Sequence, residues 1–293
     1  HAPRSLDQLT LIRSENPEST ILAGGTDIGL WVNKQFRDLG EIIYVGDITE
    51  LKQIKQSATD LRIGAGVSLS AAYAVIGEHY PELEEMWERF ASVPIRNAGT
   101  LGGNVANGSP IGDSMPWLIA LDATVVLTSA NGSRTIALEE LYVDYMKKSM
   151  LPEEVIEAIV LPLPTPDLQF RTYKIAKRYD SDISAVCAAF ALRLKDQHIE
   201  QARVAFGGMA AIPKRANACE TALQGQQWTE ATAKAAMQAL HGDFLPLDDM
   251  RASAIYRSRT AANLVYRFFL ETRPLDPLPT NQTSVFARAQ EVV

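Results

Sequence analysis

The sequence predicts an α+β protein built from several consecutive units. Near the N-terminus, short strand patterns alternate with amphipathic helix patterns, and residues 92–116 then form a long glycine-rich stretch without periodicity. In the last part of the chain, strand patterns come first and helix patterns follow, as in an α+β unit. The chain has 293 residues, of which 46% are hydrophobic, which is enough for two or three subdomains.

The first unit reads as a helix followed by a strand–helix–strand arrangement. Residues 5–8, Ser-Leu-Asp-Gln, have the form of a capping box, and the helix that they begin ends near Pro17. We expect strands over 20–23 and 41–45, with a second helix starting near Ile28 between them.

The second unit alternates strands and helices around the irregular stretch. We expect Ser68 to cap a helix, residues 92–116 to form a loop, and Asn131-Gly132 to form the turn of a hairpin. The remaining predicted elements of this unit are strands over 61–66, 124–128, 133–138 and 155–161 and a helix over 83–90.

A proline-rich linker, 161–168, leads into the third unit. Its last helix should bury a stripe formed by Ile255, Leu264, Val265, Phe268 and Phe269. The predicted strands are 170–177, 185–194 and 202–207, and the predicted helices are 214–224, 229–241 and 252–272.

Composition excludes several classes of protein. The net charge is −7 and the pI about 5.2, and no basic run exceeds Lys147-Lys148, so we expect no nucleic-acid partner. No apolar segment is long enough to span a bilayer, and we see no signal peptide, so we expect a cytoplasmic protein without a membrane partner. Because the chain begins with His1 rather than Met, we expect a processed or excised fragment.

The metal-ligating residue types are scattered. Cys187 and Cys219 form no CxxC pattern, and His1, His79, His198 and His241 are not spaced as ligands. We therefore predict no metal site and no cysteine-ligated iron–sulfur cluster in this chain, and we interpret both cysteines as buried apolar residues.

Two glycine-rich loops carry the functional signal. The first, ILAGGTDIGLW, follows a strand at residue 21, and its Gly24-Gly25 pair indicates either a plain turn or a site where backbone N–H groups hold an anion. The second, RNAGTLGGNVANGSPIGD, starts at Arg96 and ends at Asp113, for which a helix N-cap is the favoured interpretation when it is taken alone. Two such nests beside a carboxylate suit a dinucleotide, and the absence of GxGxxG disfavours the Rossmann mode.

Three stretches together resemble the FAD-binding region of the xanthine dehydrogenase family. They are ILAGGTDIGLWVNKQFRDL from residue 21, FASVPIRNAGTLGGNVANGSPIGDSMP from residue 90, and YKIAKRYDSDISAV from residue 173. The resemblance is strongest to the flavin-carrying small subunit of bacterial xanthine dehydrogenases. It extends from residue 3 to about residue 275 and includes the C-terminal domain shared with carbon monoxide dehydrogenase flavoproteins.

The resemblance implies a vanillyl-alcohol-oxidase-type fold in which two small α+β subdomains clasp FAD. We expect the first FAD-binding subdomain over 1–56, the second over 57–164, the carbon monoxide dehydrogenase flavoprotein-like domain over 168–275 and a tail over 276–293.

The resemblance also implies the residues of the site. The first loop should wrap the pyrophosphate, and the second should form another nest. Phe90, Ala91 and Ile156 should contact the flavin. Tyr145 matches an aromatic beside the flavin face. Asp113 should hold FAD hydroxyls, and Lys174 should place its ammonium near the flavin or the phosphates. The implied FAD-binding residues are Leu22, Ala23, Gly24, Gly25, Thr26, Asp27, Ile28, Phe90, Ala91, Thr100, Gly102, Gly103, Asn104, Asp113, Ile156 and Lys174.

The function implied by the resemblance is electron transfer. FAD would receive electrons that come from a molybdopterin centre on a large subunit through [2Fe–2S] clusters on a neighbouring domain, and NAD⁺ would be the acceptor. This chain would need no catalytic acid, base or nucleophile. It departs from the animal enzymes at Ser181, where they carry an acidic residue near the flavin edge, and Asp180 or Asp182 could compensate.

Two other functions remain open from the sequence. The chain could be the flavoprotein medium subunit of a carbon monoxide, nicotine or aromatic-acid dehydrogenase, with similar FAD loops and a different acceptor. It could also be a scaffold that has lost the cofactor, although the intact TLGGN segment disfavours that reading.

Overall fold

A computed structural model of the chain describes residues 1–180 and 182–283. Ser181, and the part of the expected tail from residue 284 onward, lie outside the described residues. The strand–helix–strand start is confirmed: α1 (Leu6–Glu15) precedes β1 (Thr20–Leu22), α2 (Ile28–Asn33) and β2 (Ile42–Tyr44). The two strands are parallel, as a crossover through a helix requires.

The first unit has a small core of its own. Ser5 caps α1 by accepting a hydrogen bond from the Gln8 N–H at 3.3 Å, as the capping-box pattern predicts. Leu9 of α1 packs with Ile43 of β2, and both are buried, whereas α2 buries none of its residues. Helix α2 is therefore positioned by the loop that precedes it more than by packing.

The second unit is a five-stranded antiparallel sheet covered by short helices. The strands lie in the order β3-β4-β9-β5-β6. In chain order the elements are β3 (Ile54–Gln56), β4 (Asp60–Gly64), α3 (Leu69–His79), α4 (Glu84–Glu88), α5 (Val93–Ala98), α6 (Leu101–Asn107), α7 (Ser114–Ala120), β5 (Thr124–Ser129), β6 (Gly132–Ala137), α8 (Leu138–Leu141), β7 (Tyr142–Asp144), β8 (Lys147–Lys148) and β9 (Val155–Pro162).

The prediction of an irregular loop over 92–116 is wrong, because this stretch contains α5, α6 and the start of α7. Thr100 caps α6 by accepting a hydrogen bond from the Gly103 N–H at 2.9 Å. Leu101 and Val105, four residues apart, are fully buried and anchor α6 to the core. Tertiary burial thus stabilises a helix that the low helix propensity of glycine argues against.

The third unit is a four-stranded antiparallel sheet in the order β10-β11-β12-β13, with helices on one face. Within its core, Phe190 of β11 stacks on Phe268 at 5.1 Å between ring centroids. Its elements are β10 (Leu168–Ile175), β11 (Val186–Lys195), β12 (His198–Gly207), β13 (Lys214–Arg215), α9 (Asn217–Leu223), α10 (Glu230–Ala239), α11 (Ala254–Thr272) and α12 (Thr280–Thr283).

Three expectations for the third unit need correction. Strand β12 begins at His198 instead of 202, because Asp196 and Gln197 both adopt positive φ, of 49° and 64°, and close a two-residue hairpin turn. Residues 214 and 215 pair with β12 and are not helical. Ile255 lies on the exposed side of α11, whereas the other four residues of the predicted stripe are buried.

Strand β11 joins the second and third units, because it is buried on both faces. Cys187, Ala189 and Ala191 belong to the core of the second unit, and the alternate residues Ala188 and Phe190 belong to the core of the third. Helix α7 of the second unit packs against β11 and β12 of the third, so the residues at the N-terminus of α7 lie at the seam between the two units.

Candidate functional site

The loop after β1 leaves a row of backbone donors unpaired. Within residues 1–180 and 182–283, no group accepts a hydrogen bond from the N–H groups of residues 24 to 28. Gly25 adopts a left-handed conformation with φ of 73°, which a glycine takes without strain. These half-buried amides precede and begin α2, where backbone N–H groups have no partner within the helix, and such a run is the kind of nest that holds an anion.

The two glycine loops meet. A methyl group added at Gly24 would lie 1.8 Å from the carbonyl oxygen of Ala98, so only glycine allows this approach. One added at Gly99 would lie 3.4 Å from the Thr26 hydroxyl. The first loop therefore packs directly on the peptide that precedes the TLGGN segment.

The expectation of a second nest of free amides is wrong. The N–H groups of Leu101 and Gly102 donate to the carbonyls of Val67 and Ala65, both at 3.0 Å. Those of Gly103 and Asn104 donate to the hydroxyl and the carbonyl of Thr100. Gly102 instead allows close packing, because a methyl group there would lie 2.3 Å from the Ala65 side chain.

One polar atom of this segment has no partner. The Asn104 Oδ1 is buried and accepts no hydrogen bond from any residue that the structure describes. Burying such an acceptor without a donor costs about 1–3 kcal/mol. Asn104 is therefore suited to accept a hydrogen bond from a bound molecule. Whether Thr100, Gly102, Gly103 and Asn104 contact FAD stays a prediction.

Lys174 and Asp113 form a buried ion pair at the seam between the second and third units. The Lys174 Nζ lies 2.5 Å from Asp113 Oδ2 and donates to Ser184 Oγ at 2.9 Å. The Ser184 hydroxyl donates to the other Asp113 oxygen at 2.5 Å, which closes a three-residue ring. All three side chains are at most 5% exposed. The structure thus brings together two predicted site residues that are 61 positions apart.

The alternative interpretation of Asp113 as a capping side chain is wrong. Asp113 occupies the N-cap position of α7, but its side chain makes no capping hydrogen bond. Its carboxylate faces Lys174 and Ser184 instead, while its carbonyl accepts a weak hydrogen bond from the Cys187 thiol at 3.7 Å. Burial raises the pKa of Cys187 well above its usual value, so this cysteine is an inert thiol.

Phe90 and Ala91 lie at a strained turn. Ala91 has a φ of 50°, which is unfavourable for a residue with a β-carbon. The Arg96 guanidinium donates to the carbonyls of Phe90 and Ala91 at 2.6 and 2.8 Å and holds the turn. The Phe90 ring packs edge-on against Tyr73, whose hydroxyl is 2.6 Å from Ser114 Oγ, next to Asp113.

Arg89 connects this turn to the Lys174 strand. It is buried and donates to the Lys174 carbonyl at 2.9 Å and to the Tyr179 carbonyl at 3.1 Å. Its guanidinium also lies over the Tyr179 ring, 4.6 Å from the centroid. The Phe90 turn and the Lys174 strand are therefore held in one rigid arrangement.

The other predicted site residues are spread around these groups. Leu22 ends β1, and Ala23 follows it; Ile28 begins α2. Ile156 is buried in β9 within the core of the second unit. Tyr145 is 64% exposed in the turn between β7 and β8. Their contacts with a flavin stay predictions.

The pKa values of Asp27 and Asp182 are shifted in opposite directions. Burial raises the pKa of Asp27, whose carboxyl has no hydrogen-bond partner among the described residues. Asp182 accepts hydrogen bonds from the Arg178 side chain and N–H, and these lower its pKa to about 2. Asp182 thus serves a local turn, and Ser181, its neighbour, lies outside the described residues.

Sequence reasoning missed Ser184, Arg96 and Arg89. Serine and arginine are common surface residues, so nothing in the local pattern separates these three from solvated side chains. Ser184 binds Asp113, which is 71 positions away, and Arg89 binds the Lys174 carbonyl, which is 85 positions away. Only these long-range contacts show that the two residues belong to the site.

No group of metal-ligating side chains is found within the described ranges, 1–180 and 182–283. In the same ranges, no helix is both long and apolar enough to cross a membrane. A groove of about 610 Å³ between α10 and α11 is lined by residues such as Met237, Phe244 and Ile255 and by none of the predicted site residues.

Comparison with known families identifies the cofactor of this chain. Residues 1–164 match the FAD-binding domain in molybdopterin dehydrogenase, and residues 171–272 match the C-terminal domain of carbon monoxide dehydrogenase flavoprotein. The chain belongs to the family of FAD-binding domains of molybdopterin dehydrogenases. This FAD-binding chain is therefore the flavoprotein part of an oxidoreductase, and the resemblance stated above is confirmed.

Curated relatives of the FAD-binding chain are much longer. The nicotinate hydroxylase hnxS of Emericella nidulans is 33% identical over 291 residues, which cover 91% of this chain and 22% of that protein. Xanthine dehydrogenase of the same organism is 29% identical over 284 residues, covering 92% and 21%. The chain thus spans about a fifth of the length of these relatives.

Solved structures confirm the α+β fold of the FAD-binding chain. It superposes on a chain of carbon monoxide dehydrogenase from Hydrogenophaga pseudoflava with a TM-score of 0.85 and 26% identity, covering 91% of this chain and 94% of the other. For quinoline 2-oxidoreductase from Pseudomonas putida 86 the TM-score is 0.83 and the identity 25%, with coverages of 94% and 97%.

The residues present fit FAD. A pyrophosphate needs several donors in a small space, and residues 24 to 28 provide five unpaired amides. The buried Asn104 Oδ1 is an unpaired acceptor, and a sugar hydroxyl or a ring N–H of FAD is a suitable donor for it. Gly24 lies against Ala98, so the first loop packs on the segment that leads into α6, the helix that carries Asn104.

Proposed function

We propose that this chain is the FAD-carrying electron-transfer module of a molybdenum hydroxylase of the xanthine dehydrogenase type. In this proposal it takes electrons from [2Fe–2S] clusters on a neighbouring domain or subunit and reduces NAD⁺, while a large subunit with molybdopterin oxidises the substrate. We also place the protein in the cytoplasm, where its two free, buried cysteines would remain reduced. The observation that carries the proposal is the run of unpaired amides at residues 24–28 in a chain of this family.

The chain's own residues would bind and orient the cofactor. The N–H groups of the first loop would hold the pyrophosphate, together with the Thr26 hydroxyl, and Asn104 would accept a hydrogen bond from FAD. Leu22, Ala23 and Ile28 flank that loop and would exclude water from it. When bound, FAD would supply the redox chemistry, in which two electrons leave as a hydride.

The buried ring of Lys174, Asp113 and Ser184 would set the field at the site. The Lys174 ammonium is held by two oxygen acceptors, so it is oriented before any ligand arrives. A preoriented positive charge stabilises negative charge that develops nearby, without reorganisation cost. Phe90, Ala91 and Ile156 would form the apolar wall, which Arg96 fixes through the Phe90 and Ala91 carbonyls.

The electron acceptor can be tested directly. The full chain, loaded with FAD and kept free of oxygen, is mixed with NADH, and the flavin absorbance near 450 nm is followed. We expect rapid bleaching that reaches the amplitude obtained with dithionite. Bleaching by dithionite alone would contradict NAD⁺ as the acceptor, and a colourless protein that cannot be reconstituted would support the scaffold function.

A second candidate is the flavoprotein subunit of a related dehydrogenase. It is favoured by the 33% identity to the nicotinate hydroxylase, which exceeds the 29% identity to xanthine dehydrogenase of the same organism, and by the superposition on a carbon monoxide dehydrogenase chain. The FAD-binding residues would be the same, and the acceptor and partners would differ. Failure of NADH with success of dithionite is the result that this candidate predicts.

A further inference from the structure

Arg257 of α11 is a buried cation outside the residues discussed so far. It is 2% exposed, and its guanidinium donates to the carbonyls of Ala185 and Gly208 at 2.5 and 2.8 Å. It also donates to the Asp249 carboxylate at 2.6 Å. Its Nε is buried and has no acceptor among the described residues.

The unpaired Nε–H argues against a purely space-filling role for Arg257. A buried N–H without an acceptor costs about 1–3 kcal/mol, and an apolar side chain of similar length would avoid it. The guanidinium therefore serves the three acceptors that it does reach. Two of them are main-chain carbonyls, and one of these belongs to Ala185, which follows Ser184 of the ring.

Each residue of the Lys174–Asp113–Ser184 ring is one to three positions from Ala185 or from a carbonyl that the Ala185 or Gly208 N–H binds. Ala185 follows Ser184, and its N–H donates to the carbonyl of Ile175, the neighbour of Lys174, at 2.7 Å. The Gly208 N–H donates to the Pro110 carbonyl at 2.7 Å, on the segment that ends at Asp113. Arg257 therefore binds two main-chain segments that are themselves hydrogen-bonded to the segments carrying Lys174 and Asp113, and one of the two follows Ser184 directly.

The Gly208 main chain lies close to the Ala185 carbonyl where Arg257 binds both residues. Gly208 has a φ of 81°, and a methyl group added there would lie 2.4 Å from the Ala185 carbonyl oxygen. Both carbonyls accept hydrogen bonds from the same Arg257 Nη1, and without that donor two oxygens of like partial charge repel each other. Removing the guanidinium should therefore separate the Ala185 and Gly208 segments.

We propose that Arg257 is a positioning residue for the FAD site. Its guanidinium holds the Ala185 and Gly208 carbonyls, and through them it sets the Ser184 hydroxyl that orients the Lys174 ammonium and the Asp113 carboxylate. The inference rests on the proposed function, in which Lys174 and Asp113 face the cofactor. Asp249, in turn, fixes the guanidinium from the loop before α11.

The test compares Arg257→Met with Arg251→Met in the full chain. Arg251 donates to the same Asp249 carboxylate at 3.2 Å, but no hydrogen bond joins it to Ala185 or Gly208 within the described residues, so it is a matched control. FAD affinity is measured by fluorescence titration, the midpoint potential of the bound flavin by spectroelectrochemistry, and the melting temperature of the FAD-free chain by circular dichroism.

We expect Arg257→Met to weaken FAD binding about 10-fold, the effect typical of losing a supporting hydrogen-bond shell, and to shift the midpoint potential. Arg251→Met should leave both at wild-type values, and Arg257→Lys should recover part of the shift. If Arg257→Met fails to fold, Asp249→Asn, which weakens one contact of the guanidinium, should move the potential in the same direction by less.

A purely structural role has a different signature. If Arg257→Met, or Asp249→Asn in its place, lowers the melting temperature while affinity and potential match Arg251→Met, the inference is overturned and the proposed function is not. A wild-type chain that binds no FAD would overturn the proposed function and this inference with it.

Discussion

The Lys174 ammonium and the Asp113 carboxylate are 2.5 Å apart in the interior of the protein, where the two side chains are only 2% and 5% exposed. They come from different units, since Asp113 precedes α7 and Lys174 lies in β10. A buried pair of this kind is favourable only because each charge compensates the other and Ser184 supplies further hydrogen bonds. Its first consequence is for stability.

Breaking one side of the pair should be costly. We expect Lys174→Met or Asp113→Leu to lower the free energy of unfolding of the FAD-free chain by about 3 kcal/mol, because each leaves a buried polar group without its partner. The double variant Lys174→Met with Asp113→Leu should recover part of that loss. Urea unfolding measures all four proteins, and purely additive losses would contradict a coupled pair.

Asp27 offers a test by pH. Burial raises its pKa above the ordinary value of 3.8, so the folded chain holds the proton more tightly than the unfolded chain does. Stability contributed by the protonated form is therefore lost as the pH rises from 3.8 through the raised pKa, and it stays lost at neutral pH. Asp27→Asn should make the FAD-free chain more stable at pH 7 and flatten this pH dependence.

Unfolding of the FAD-free chain in urea at acidic and neutral pH measures the Asp27 effect. Asp47→Asn, at an exposed carboxylate of the same unit, serves as the control and should change little. An Asp27→Asn chain that is less stable than wild type at pH 7 would show that the carboxylate makes favourable contacts as an anion.

The contrast between the two glycine loops shows how far the sequence could be interpreted. Gly-Gly after a strand left a plain turn and a run of free amides open, and the amides of Gly24 and Gly25 are free; this alternative was visible because a strand end and a turn are local features. At Gly102 and Gly103 the same composition hides a helix whose amides are occupied, because the helix depends on Leu101 and Val105 meeting a distant core. Burial against remote residues is not visible in a local pattern.

The buried ring of Lys174, Asp113 and Ser184 shows the same limit of sequence interpretation. Asp113 and Lys174 were assigned through family resemblance, and their mutual pairing was not foreseen, because no pattern links positions in a loop and in β10. Ser184 was missed for the same reason. By contrast, most strands of the two larger sheets could be predicted, since their alternating or continuous apolar runs are local signals.

Contact between the loops can be tested at Gly24. A methyl group there would meet the Ala98 carbonyl oxygen at 1.8 Å, so we expect Gly24→Ala to force the loops apart, with an overpacking cost of about 1–3 kcal/mol and loss of most bound FAD. Gly29→Ala is the control, because nothing lies within 4 Å of the added methyl.

In Gly29→Ala the alanine should stabilise α2 by up to about 1 kcal/mol and leave FAD content unchanged. The ratio of absorbance at 450 nm to that at 280 nm gives FAD content, and thermal unfolding gives stability. Equal FAD content in both variants would show that close approach of the loops is not required for binding.

Backbone conformation at Gly25 gives the sharpest test of the amide nest. Gly25 and Gly40 both have positive φ, of 73° and 59°, and neither has a close contact at the position of an added methyl, since the nearest atom to Gly25 is 3.6 Å away. An alanine at either position should thus cost about 1 kcal/mol through backbone strain alone. Only Gly25 belongs to the run of unpaired amides.

We therefore expect Gly25→Ala and Gly40→Ala to lower stability equally and to differ in FAD affinity. An alanine at 25 relieves its strain by moving φ toward negative values, which rotates the neighbouring N–H groups away from a common anion. FAD binding should weaken at least about 10-fold, the cost of about one hydrogen bond to a charged group, while Gly40→Ala binds as wild type. Fluorescence titration measures both affinities, and equal affinities would mean that these amides do not hold the pyrophosphate.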